Sequence, residues 1–201
     1  MKVKICGVTN LDDALCACEA GADAIGFVFY GKSPRLITPE TALFISEKLP
    51  PFVKKVGLFV EQAPREIDRI CAFAKLDLAQ IHTEADNRFF MRLKTPFLRV
   101  IRARAKEDLT LFAREYRLID AFTKNYGGEG KRLPLEWFDG VDCSKIILAG
   151  GLKADILEAI KPFNFYGVDA SSGVERTKGV KDPALIRGFL SAAKAIARTP
   201  L

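Results

Sequence analysis

The chain holds one histidine, His82, one tryptophan and two methionines among its 201 residues. With a single imidazole, and no cysteine pair beyond Cys16-Ala-Cys18, a structural zinc site has too few ligands, so no metal is expected. The five cysteines (Cys6, Cys16, Cys18, Cys71 and Cys143) are odd in number and follow no export signal. That argues for reduced thiols over a disulfide framework. No apolar run approaches the roughly 18 residues of a membrane span, and the opening Met-Lys-Val-Lys-Ile-Cys-Gly lacks the apolar stretch of a signal peptide. A cytoplasmic globular protein is the expectation. A polybasic block is also missing: the net charge of +6 is spread as +2 over residues 1–100 and +4 over residues 101–201. A nucleic-acid binder concentrates its charge on a stripe, whereas a diffuse excess suits a small anionic substrate.

What is present is alternation. Short β-rich apolar runs fall at Lys2–Cys6, Ala24–Phe29, Lys55–Phe59, Leu78–Ile81, Leu98–Arg102, Tyr116–Asp120, Lys145–Leu148 and Phe165–Asp169. Helical patterns lie between them at Leu11–Ala20, Pro39–Leu49, Pro64–Ala74 and Glu84–Leu93, with a last one at Pro183–Arg198. The stretch after the fifth run is short, Lys106–Phe112, and a glycine-rich loop follows the sixth. No linker or composition break divides the chain, so residues 1–201 are expected to form one α/β domain. Eight β-units leave two topologies, a closed (β/α)8 barrel and an open doubly wound sheet.

Polar residues recur at one register of these units. Cys6, Asp120 and Asp169 end strands, His82 directly follows one, and Ser33-Pro34-Arg35 lies in the loop after the second. In a parallel barrel all these ends meet on the face where active sites are built. Arg35 is able to fork onto a carboxylate. His82 either orients a ligand or satisfies a strand-end hydrogen bond, and the second reading is preferred. Two consecutive glycine-bearing turns, around Gly150-Gly151 and Ser171-Ser172-Gly173, favour a phosphate site, because glycine admits close approach of backbone N–H groups and serine adds donors. The loop Lys124–Lys131 lacks Walker spacing and is read as a lid or a plain surface loop.

These blocks together resemble the phosphoribosylanthranilate isomerase family of tryptophan biosynthesis. The likeness is carried by Lys4-Ile5-Cys6-Gly7-Val8-Thr9, Gly21–Phe29, Ser33-Pro34-Arg35, Val56–Val60, Gln80-Ile81-His82, Ile119-Asp120, Gly127–Lys131, Leu148–Leu152 and Val168–Glu175, in order along nearly the whole chain. The resemblance implies a (β/α)8 TIM barrel and an Amadori rearrangement of N-(5-phosphoribosyl)anthranilate to 1-(2-carboxyphenylamino)-1-deoxyribulose 5-phosphate, with no metal or organic cofactor. It implies Asp120 as the general acid and Cys6 as the general base. Arg35 would face the anthranilate carboxylate, and Gly150, Gly151, Ser171, Ser172 and Gly173 would hold the phosphate. Asp169 would lie near the sugar, with His82 among the substrate contacts. An acid aspartate needs its pKa raised from ~3.9 and a base cysteine needs its own lowered from ~8.5. Nearby positive charge is expected to lower Cys6.

Two positions depart from the family pattern. Thr83 stands where glycine is common after the histidine, and Glu129 replaces a small hydroxyl residue, with Arg132–Glu136 about two residues longer than usual. A histidine-pathway barrel isomerase is the nearest rival, and Cys6 argues against it because that family places aspartates in both catalytic positions. A non-catalytic nucleic-acid binder is the rival from another class. Monomer and homodimer both remain open.

Overall fold

The computed structural model describes residues 1–123 and 130–196. Eight parallel strands close into a barrel: β1 (Lys2–Cys6), β2 (Ala24–Val28), β3 (Lys54–Phe59), β4 (Leu78–Ile81), β5 (Phe97–Ala103), β6 (Arg117–Ala121), β7 (Ile146–Leu148) and β8 (Gly167–Ala170). Closure is made by β8 pairing with β1, where Lys4 lies opposite Asp169. Of the two topologies compatible with the sequence, the barrel is the one formed.

Period-2 alternation sorts each strand onto two faces. Val3 and Ile5, Ile25 and Phe27, Ile119 and Ala121, and Val168 and Ala170 point outward into the apolar layer beneath the helices. The opposite residues fill the barrel interior. Its lower part is apolar, with Leu98, Val100 and Leu118 packed together, whereas Lys4, Cys6, Gln80, Asp120 and Asp169 make the upper part polar.

Helices cover the outside where capping chemistry starts them. In α1 (Leu11–Glu19) Asn10 accepts from the Asp13 N–H; in α2 (Pro39–Ser46) Thr38 caps and Pro39 opens the first turn. Helix α3 (Pro64–Phe73) follows. Helix α4 (Asn87–Met91) is shorter than its sequence pattern over Glu84–Leu93, because the Asp86 carboxylate accepts from the Phe89 N–H and fixes the start there. After β7 the chain makes only one turn of α-helix, α5 (Leu157–Ile160), between two 3-10 turns. Helix α6 (Pro183–Ala195) is capped by Asp182 and buries Ile186, Phe189, Leu190 and Ala193 at helical spacing. The reading of that helix to Arg198 extends outside the described residues.

The positions after β5 and β6 hold 3-10 turns, Lys106–Thr110 and Leu135–Phe138, instead of α-helices. Arg117 compensates for the first of them. Fully buried, it donates to the carbonyls of Leu109 (2.8 Å), Glu115 (3.3 Å) and Ala113 (3.4 Å), which have no helical N–H to serve. Arg99 is clasped between the Phe90 and Phe112 rings at 3.8 and 3.9 Å. A two-stranded hairpin that the sequence reading does not contain, β9 (Glu175–Thr177) and β10 (Val180–Lys181), sits between β8 and α6. No helix among the described residues is long and apolar enough to cross a membrane.

Candidate active site

The strand ends converge as the register requires. A cavity of about 240 Å³ opens at the C-terminal mouth of the barrel and is lined by Cys6, Arg35, His82, Asp120, Gly150, Gly151, Asp169 and Ser171 among others. Ser172 and Gly173 lie in the turn just beyond Ser171 and do not line it. Asp120 and Asp169 are the penultimate residues of β6 and β8 rather than the last, since Ala121 and Ala170 continue the pairing.

Asp120 is buried, and burial pushes its carboxyl up to about 7. The Ala121 N–H donates to its Oδ1 at 2.8 Å and pulls the other way, while the Asp169 carboxylate adds to the rise. The group therefore keeps a proton to near neutrality. His82 is neutral: burial first, then the positive charges of Arg102 and Lys4, lower it to about 3. Among the described residues neither ring nitrogen has a hydrogen-bond partner, nor does the Gln80 Oε1 atom. The strand-end bond is made by the His82 backbone N–H, donating to Phe59 at 2.8 Å, so the preferred reading of the imidazole is corrected. The His82 and Gln80 side chains both line the cavity, so these atoms face the space at the barrel mouth.

Cys6 departs from expectation. Positive charges do surround it, from Lys4 and Lys181, yet burial outweighs them and the thiol lies above its ordinary range. Arg35 forks onto a carboxylate, but that of Glu175, through Nε and Nη2 at 2.7 Å each. Lys181 joins the same carboxylate at 2.9 Å and reaches the Ser171 carbonyl at 3.1 Å. A second buried pair, Lys4 Nζ to both Asp169 oxygens at 2.9 and 3.0 Å, lies below Cys6. The sequence reading singles out none of Lys4, Glu175 and Lys181. For Lys4 a signal exists, since it alternates with Cys6 on one strand and shares its face.

The two glycine turns are held by geometry that admits no side chain. Gly150 and Gly151 have φ of +94° and +59°, and a Cβ on Gly150 would meet Lys131 O and Asp120 Oδ1 at 2.7 and 2.8 Å. Thr83 is not among the described non-glycine residues with positive φ, so its turn accepts a Cβ without strain. Of the longer segment after β6, Arg132 donates to Gly151 O at 2.9 Å and Leu133 is buried in the core, while Lys124–Glu129 lie outside the described residues. The lid reading of that loop, and its altered residue Glu129, fall there. Among the described residues no group of three or more His, Cys, Asp and Glu side chains is placed to hold a metal.

Titratable side chains gathered around the C-terminal mouth of a (β/α)8 barrel are the arrangement of a barrel enzyme. Residues 3–192 match the family model of N-(5'-phosphoribosyl)anthranilate (PRA) isomerase. The chain belongs to that family. It is 56% identical over 194 residues to the N-(5'-phosphoribosyl)anthranilate isomerase of a Nitratiruptor species, covering 96% of this chain and 99% of that one. The crystal structure of phosphoribosyl anthranilate isomerase from Thermotoga maritima is 37% identical with a TM-score of 0.88, over 96% of this chain and 98% of that one. A second solved structure of phosphoribosyl anthranilate isomerase, in complex with reduced 1-(o-carboxyphenylamino)-1-deoxyribulose 5-phosphate, is 35% identical with a TM-score of 0.82, over the same shares.

Proposed function

We propose that the chain, acting as one catalytic unit, converts N-(5'-phosphoribosyl)anthranilate to 1-(o-carboxyphenylamino)-1-deoxyribulose 5-phosphate, with Asp120 as acid and Cys6 as base. The observation that carries these roles is that Asp120, held near 7 by burial, shares one cavity with the Cys6 sulfur.

Asp120 gives its proton to the furanose ring oxygen as the C1–O bond breaks, leaving a protonated Schiff base between C1 and the anthranilate nitrogen. The Cys6 thiolate then takes the proton from C2. The C2–H electron pair becomes the C1=C2 bond, and the C=N pair returns to nitrogen as the enolamine. Loss of the C2 hydroxyl proton and protonation at C1 give the ketone. His82, neutral and buried, donates or accepts a hydrogen bond without carrying charge. Arg35 spends two of its five donors on Glu175 and turns others to the substrate carboxylate. Gly150, Gly151 and Ser171, which line the cavity, hold the phosphate, with Ser172 and Gly173 in the turn just behind them. The same reading makes the partner a small phosphorylated anion rather than nucleic acid, met in the cytoplasm.

Anthranilate fluorescence, followed after adding the protein to freshly generated phosphoribosylanthranilate, tests this. Product formation well above spontaneous hydrolysis is the expected result. No turnover on this substrate, with turnover on the histidine-pathway aminoaldose phosphate, would overturn it.

A further inference from the structure

Lys4 has no part in the steps above, yet it is buried directly beneath them. It lies two residues before Cys6 on β1 and so projects from the same face, one layer deeper in the barrel. Its ammonium is held by both oxygens of Asp169, the residue opposite it across the closing seam. Gly26, paired with Cys6 on the other side, leaves the space in which ammonium and sulfur meet. A Cβ built there would stand 3.0 Å from both Lys4 Nζ and Cys6 Sγ. Lys4 has three N–H donors and Asp169 occupies two acceptor directions, so one donor is free for the sulfur.

We propose that Lys4 is a positioning residue for the reaction: anchored by Asp169, its ammonium stabilises the thiolate of Cys6 and offsets part of the burial that favours the thiol. The inference rests on the proposed role of Cys6 as base. The charged and titratable groups around the sulfur are Lys4 on its own strand, Asp169 on β8, Lys181 on β10, and Arg35 and Tyr30 from the segment after β2. His82 and Asp120 line the same cavity. Lys181 and Arg35 are both tied to Glu175, whose charge offsets theirs. Lys4 is the cation that acts most strongly on the thiol, against burial and Asp169. A pair that only joined β1 to β8 would change folding stability and leave the sulfur's titration where it was.

The test compares Asp169→Asn with the double variant Lys4→Met/Asp169→Asn, a background in which removing the ammonium orphans no buried carboxylate. The readout is the rate of Cys6 alkylation by iodoacetamide against pH, taken from the Cys6 peptide by mass spectrometry, with circular dichroism to verify that each variant is folded. The midpoint of the double variant is expected to lie about one pH unit or more above that of Asp169→Asn, and its kcat/KM at pH 7 about tenfold lower, recovering as pH rises. Superimposable alkylation profiles for the two folded variants would overturn the inference. Alkylation needs no substrate, so a wild-type chain without isomerase activity would overturn the proposed function and leave the Lys4 result to be judged separately.

Discussion

His82 Nε2 lies 3.6 Å from Asp120 Oδ2, and the two groups face each other without a hydrogen bond. The separation alone would pass for an ion pair. The imidazole has no charge to contribute, because burial and the neighbouring cations hold it near 3. A single histidine makes this directly measurable. The C2–H proton resonance of His82 is expected to stay at its neutral position from pH 8 down to pH 5, and a titration near 6.5 would contradict the assignment. Because the folded value lies below the ordinary one, the histidine's effect on stability is absent above about 6.5 and grows unfavourable as pH falls below it.

Asp120→Asn is expected to lower kcat by a factor on the order of 10²–10⁴, the usual worth of a positioned acid. The same substitution has a pH-dependent effect on stability. Asp120 is raised from 3.8 to about 7, so its favourable contribution is complete below pH 3.8 and is lost as pH rises through 7. The asparagine variant should therefore gain on the wild type between about pH 4 and pH 8, by up to roughly 4 kcal/mol at full loss. Urea unfolding at the two pH values checks the sign.

Cys6→Ser keeps the shape and removes the better base, and turnover should fall by a factor on the order of 10² or more, with KM little changed. Steady-state kinetics by anthranilate fluorescence separates the two parameters.

Glu175→Ala should be among the most destabilising single changes in this protein. It leaves the Arg35 guanidinium and the fully buried Lys181 ammonium without their shared carboxylate. Breaking a buried pair in this way costs about 3–5 kcal/mol. Chemical denaturation measures it, and a loss below about 1 kcal/mol would mean that water reaches the pair.

Gly151→Ala places a Cβ against the Gly130 carbonyl at a φ of +59°. With the turn displaced, KM for the phosphorylated substrate and the inhibition constant for inorganic phosphate should both rise at least several-fold. Unchanged phosphate inhibition would remove this turn from the phosphate site.

The eight β-units and the strand-end places of Cys6, His82 and Asp120 are legible in the period-2 alternation. That alternation is compatible with a closed barrel and with an open sheet; the family resemblance is what singles out the barrel. The missing helices after β5 and β6 are only partly legible. The first replacement depends on Arg117 serving three carbonyls of irregular chain, a tertiary solution with no local pattern. The start of α4 is missed by three residues because Asp86, not the apolar spacing, decides it. The Glu175 cluster is missed for a different reason: Arg35 and Glu175 are 140 positions apart, and nothing nearby in sequence says that one waits for the other. The direction of the Cys6 shift is likewise a sum of burial and several charges, beyond what a motif conveys.

The seam at β1–β8 has a temporal meaning. Lys4 and Arg35 are synthesised before the carboxylates that neutralise them, Asp169 and Glu175, which lie 165 and 140 positions later. Until residue 169 is made, β8 is incomplete and both cations lack their carboxylates. Closing the seam and neutralising the two cations are therefore coupled, and both wait for β8 and the hairpin that follows it.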